Sequence, residues 1–160
     1  MTAAEILDGL PSDVQEACSG LFDRHAIDQA MSAIVVREGL HELYPLVERA
    51  IETAALGSNP YLVAGLWLYV DDLQRSHVVS QGLDDPTGAY WHAIMHRREG
   101  DFGNSKYWLR HAGRHDACSD VDGYDAERLV DLAEAGSPKT VEMQRKEWVA
   151  LFVWCARKAP

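Results

Sequence analysis

The chain has 160 residues, 47% of them apolar, which is the size of one ordinary domain and enough apolar mass to bury a core without disulfides or metal. A formal charge of −10 excludes general binding to nucleic acid or to acidic membranes, because both require a basic footprint. Cys18, Cys118 and Cys155 are odd in number, widely separated and without a Cys-x-x-Cys, so neither a disulfide framework nor a thiolate zinc site is expected.

The N-terminus carries no basic region followed by a long apolar one, and the longest apolar run, Tyr61 to Val70, is about half a membrane span. The expectation is therefore a reduced, cytoplasmic protein with no membrane segment. In chain order, Ser12 and Gln15 have the spacing of a capping box, and Val14, Ala17, Cys18, Leu21 and Phe22 then repeat at helical spacing. Ile27, Ala30, Met31, Ile34 and Val35 predict a second helix ending at Gly39. Leu43, Leu46, Val47, Ala50, Ile51 and Ala54 predict a third, with Pro45 in its first turn and its end at Gly57.

Ser58-Asn59-Pro60 and Ser137-Pro138 are cap-then-proline starts for two long helices. The helix after Pro138 is apolar on most sides, through Trp148, Val149, Leu151, Phe152, Val153, Trp154 and Cys155, which places it in the core. Asp84 to Gly88 is turn chemistry, and Asp116 to Gly123 reads as a loop. No run reads as a strand. The predicted fold is one all-α domain over 1–160, a compact array of antiparallel helical hairpins with a buried C-terminal helix.

An internal repeat organises the middle of the chain: residues 64–76 overlay residues 93–105 at an offset of 29. Ala64 and Ala93 then correspond, as do Trp67 and His96, Asp72-Leu73 and Asp101-Phe102, and Ser76 and Ser105. Small residue, bulky ring, Gly-Asp-aromatic turn and small residue in this order resemble the tetratricopeptide pattern, with Glu99 to Phe102 and Ala112 fitting it best. The resemblance covers residues 60–113 and implies two hairpins, at about 60–83 and 88–113. It departs from that family in its offset and in having only two units.

From Tyr61 onward the chain also resembles an uncharacterised bacterial family, through Ser76-His77, the Tyr90 to Glu99 block, Asn104 to Trp108 and Glu147 to Phe152. That resemblance implies a helical fold and no particular activity. His92 and His96 ahead of Arg97 are similar to the His-x-x-x-His of the metal-dependent DinB-like helical proteins, although the tail after them is longer than that family's.

One stretch departs from the acidic background. Gly88 to His115 has a net charge of +3 against −13 for the remainder, and it holds His92, His96, His111 and His115. Tyr90, Trp91, Arg97, Arg98, Tyr107, Arg110 and Arg114 in it form a candidate surface for gripping a carboxylate or phosphate while stacking a flat group. A competing role for these arginines is pairing with the acid-rich remainder.

His92, His96 and Glu99, at i, i+4 and i+7, share one helix face and make a metal half-site that His77 or His111 would complete. Core packing is the ordinary alternative for His92 and His96. The first expectation is thus a non-enzymatic binding or adaptor module without a cofactor, whose partner is a protein or an anionic small molecule. The alternative is a metal-dependent enzyme holding zinc or a similar dication. Nothing in the sequence fixes the oligomeric state.

Overall fold

The computed structural model describes residues 1–158, and among these there are helices, turns and no strand. Ten α-helices follow in order: α1 (Ala3–Leu7), α2 (Ser12–Arg24), α3 (Tyr44–Ile51), α4 (Ala54–Gly57), α5 (Pro60–Tyr69), α6 (Leu73–Ser80), α7 (Pro86–Glu99), α8 (Phe102–Ala112), α9 (Ala126–Glu134) and α10 (Lys139–Arg157). Short 3-10 turns precede α3 and interrupt the loop after α8.

The expected helix ending at Gly39 does not form. Ile27, Ala30 and Met31 are buried as their apolarity demands, but Met31 takes a φ of 50°, which a helix does not admit. The carbonyls of this stretch are satisfied from outside. Arg145 Nε donates to Ala30, Gln144 Nε2 to Met31 and Ala33, and Arg98 Nη2 to Ala33. With its backbone acceptors taken by side chains from α7 and α10, the segment becomes an irregular strap over the core.

Two further boundaries differ from the sequence reading. α2 begins at Ser12 itself with Pro11 as its cap, so Ser12 and Gln15 make no capping box; that device sits instead between Thr2 and Glu5, at the start of α1. The third predicted helix breaks after Ile51, where the Thr53 hydroxyl donates to the Ala50 carbonyl at 2.7 Å and competes with the helical ladder. Pro45 does lie in the first turn of α3, and Asn59 caps α5 by accepting from the Tyr61 and Leu62 amides.

Two hairpins, α5 with α6 and α7 with α8, carry matching hydrogen bonds at corresponding positions. Ser76 Oγ donates to the Ala64 carbonyl at 2.9 Å, and Ser105 Oγ donates to the Ala93 carbonyl at 2.7 Å. The turns correspond too: the Asp72 amide donates to Trp67 O and the Asp101 amide to His96 O, both at 2.9 Å. Asp71 and Gly100, at the same place in each turn, have φ of 61° and 91°. Asp72 and Asp101 then cap α6 and α8.

Ala93 is 1% exposed beneath the crossing that the Ser105 bond ties down. Ala93→Leu is therefore expected to overpack it and cost about 1–3 kcal/mol, read as a lowered urea midpoint at unchanged slope. An unchanged midpoint would speak against this register.

α10 forms the floor on which both hairpins rest. Trp148 and Phe152 stack with ring centroids 4.5 Å apart, and Trp148 Nε1 donates to the Gly65 carbonyl at 2.8 Å. Gly65 has to be glycine for this approach, since a β-carbon there would stand 2.9 Å from Phe152 and 3.0 Å from Trp91. α7 is consequently wedged between α6, α8 and the core, and Thr87 through Arg98 are all buried.

Candidate functional site

The burial of α7 divides the basic island. Arg97, 2% exposed, donates to both carboxylate oxygens of Glu147 on α10, at 3.1 and 2.6 Å. Arg98, fully buried, donates to Asp71 at 2.7 Å and to the carbonyls of Leu68 and Ala33. Burial pulls both guanidinium groups down. Glu147 more than offsets this for Arg97 and leaves it raised, while Asp71 does not do so for Arg98, which stays lowered.

Tyr90 and Trp91 are buried as well, and the Tyr90 hydroxyl meets that of Tyr124, which donates to Glu147 at 2.6 Å. Only Tyr107, Arg110 and Arg114 of the expected anion-gripping set are exposed, on α8 and just beyond it. The structure therefore does not bring the seven residues together: four are core members, and three face outward.

The histidines behave differently. His92 and His96, one turn apart on α7, stack with centroids 4.7 Å apart, and His77 of α6 meets both edge-on at 4.7 and 5.4 Å. One ring nitrogen from each of the three lies within 4.8 Å of the others. His92 and His96 are buried, and His77 is half-buried.

Glu99 is not part of this trio. Its carboxylate accepts from His96 Nδ1 at 2.6 Å, which fixes the ring as the Nδ1–H tautomer and leaves the lone pair on Nε2. The Asn104 amide nitrogen lies 3.2 Å from that Nε2. His92 is sandwiched, with Trp108 stacked on its other face at 4.0 Å and 18°. Burial, and then the neighbouring His96 and His77, push its pKa down to about 4, so this imidazole is neutral at ordinary pH.

His111 does not join the cluster; its Nδ1 donates to its own helix, at the Tyr107 carbonyl. Beside His92 a cleft of about 410 Å³ opens between the end of α6, the start of α7 and α8. Arrangement and donor set together suit a dication preferring nitrogen, such as zinc, with three imidazoles as ligands and one carboxylate orienting the second of them.

Sequence reasoning named His77, His92, His96 and Glu99 but missed Trp108 and Asn104 as their supports, and Glu147, Asp71 and Tyr124 as partners of the arginines. Glu147 carried a signal, being the acid that immediately precedes the apolar stretch beginning at Trp148. His115 was counted in the basic stretch but given no role. It accepts from the Ala117 amide through Nδ1 and sits 3.0 Å from Thr87 Oγ1 through Nε2. A second ring proton would break the first of these bonds, and burial lowers its pKa despite Asp116 and Asp85.

A histidine depressed in the folded state contributes stability that is complete above its unfolded value and is lost as pH falls below it. The metal-free protein is thus expected to melt progressively lower as pH drops from about 6.5 toward 4, through His115 and His92. His115→Gln should flatten this slope, and a pH-independent midpoint over that range would contradict the assignment.

No protein-family model, no curated protein and no solved structure matches this chain.

Proposed function

We propose that the protein binds a divalent transition metal, zinc first, through His77, His92 and His96, and that it acts as a metal-dependent enzyme. The observation that carries this reading is the convergence of three imidazole nitrogens from two helices, one ring already oriented by Glu99. Around tetrahedral zinc, ligand nitrogens stand about 3.4 Å apart, so closing the cluster needs side-chain adjustments on the order of 1 Å. Three neutral ligands leave the ion its full charge. That is the condition under which bound water ionises near neutral pH and becomes a nucleophile.

Calorimetric titration of untagged, chelator-treated protein tests the reading: one equivalent of zinc should bind with sub-micromolar affinity, and His96→Ala should abolish it. Absence of binding would return the three histidines to a packing role.

A binding or adaptor role remains as a second reading on a narrower surface, because Tyr107 and Arg110 on α8 and Arg114 just beyond it stay exposed. Phosphate or citrate should then raise the melting temperature beyond chloride at matched ionic strength, and Arg110→Ala should remove the gain. Equal shifts with every salt would leave that face as solvated surface.

A further inference from the structure

The strap and α6 enclose a groove of about 960 Å³ that shares no residue with the histidine trio. Its floor is an aromatic corner, where Trp67 of α5 and Tyr44 of α3 meet edge to face with centroids 5.8 Å apart and planes at 86°. One wall is the strap from Val36 to Gly39, and the other is Leu73, Val78 and Val79 of α6. Val78 is apolar yet 58% exposed.

Arg75 lays its guanidinium over both rings of the corner, 4.5 Å from the Trp67 centroid and 5.4 Å from that of Tyr44. Two carboxylates attend it loosely. Glu48 Oε1 and Asp72 Oδ2 each stand 3.4 Å from its nitrogens, where a well-formed charge-assisted bond measures about 2.7–2.9 Å. Arg75 and Glu48 are exposed, so pairs of this kind contribute little to holding the side chain in place. With Glu38 on the strap wall, three carboxylates face the guanidiniums of Arg37 and Arg75, while Asp71 is already taken by Arg98.

We propose that this groove receives an arginine side chain from a partner peptide, and that Arg75 holds its place in the free protein. The corner already carries a guanidinium, which shows the group it fits: a planar, weakly hydrated cation lying on two aromatic faces. The incoming guanidinium takes the position of Arg75, which moves out to solvent, and Glu48 and Asp72 then accept from it. Residues flanking it in the peptide lie along Val78 and Val36, which gives the exposed apolar rim a partner. A lysine ammonium, compact and strongly hydrated, suits the corner less well. The chain's net charge of −10 favours the approach of a basic segment.

Titration of the whole protein with three acetylated pentapeptides, identical except for a central arginine, lysine or citrulline, tests this, because citrulline keeps the shape of arginine without its charge. The arginine peptide is expected to bind about tenfold tighter than the citrulline peptide, with lysine between them. Arg75→Ala should tighten the arginine peptide several-fold, since the corner is then vacant, and Glu48→Gln should weaken it. Both positions are exposed, so the fold tolerates either change. Equal affinity for the arginine and citrulline peptides, or no binding of any peptide at millimolar concentration, would overturn the site. Binding unchanged or weakened in Arg75→Ala would overturn the exchange of one guanidinium for another. N-acetylarginine amide binding as tightly as the peptide would overturn the peptide partner in favour of a small guanidine.

Discussion

Glu147→Leu is expected to cost about 3–5 kcal/mol, a large part of the roughly 5–15 kcal/mol that holds a domain together. The reason lies in what it leaves behind. Arg97 is 2% exposed and, among the described residues, its only carboxylate partner is Glu147, so the substitution strands a guanidinium in the core, and the Tyr124 hydroxyl loses its acceptor at the same time. Among the described residues, Arg97 Nε has no partner already, so no slack remains in its hydrogen bonding. Replacing both members together, as Arg97→Met with Glu147→Leu, should recover most of the loss, because apolar groups of similar volume substitute for a buried pair at little cost. Urea denaturation of the two single variants and the double variant gives the coupling directly. Additive losses would mean that the pair is not the unit described here.

The same pair marks the limit of what the sequence could reveal. Helical periodicity and proline caps marked α5 and α10, because those signals are local and are written every three or four residues, whereas Pro86, which opens α7, stood in a stretch that reads as a turn. The strap over residues 25–40 could not be read that way. Its apolar residues recur at helical spacing and are buried as expected, but its conformation is decided by Arg98, Gln144 and Arg145, which lie 65 to 115 residues away and take its carbonyls. For Arg97 and Arg98 the sequence left open both an anion-gripping surface and pairing with acids, and the structure has the pairing, with Glu147 and Asp71. Two adjacent arginines on a helix ordinarily face solvent, and only the arrival of Asp71 and Glu147 from other elements makes their burial tolerable. His92, His96 and Glu99 were legible because i, i+4 and i+7 share a face whatever the tertiary structure. His77 was named but not fixed, since its approach depends on how α6 packs against α7.

His77 therefore provides the sharpest test of the metal site through stability. Zinc at about a thousand times its dissociation constant should stabilise the folded protein by about 4 kcal/mol at pH 7.5, on the order of 10 °C in melting temperature for a chain of this size. His77→Ala should erase that shift. It should cost little in the metal-free protein, because the ring is half-buried and makes no side-chain hydrogen bond among the described residues. His92→Ala is less informative, since it also opens a cavity between His96 and Trp108. Glu99→Gln should weaken zinc about 10- to 100-fold without abolishing binding, because it removes the anion that orients His96 but none of the three ligand nitrogens. At pH 5.5 the wild-type shift should shrink, because zinc binds the deprotonated ring and so competes with protons. Melting curves of these variants with and without zinc decide the point, and a full zinc shift surviving in His77→Ala would remove α6 from the site.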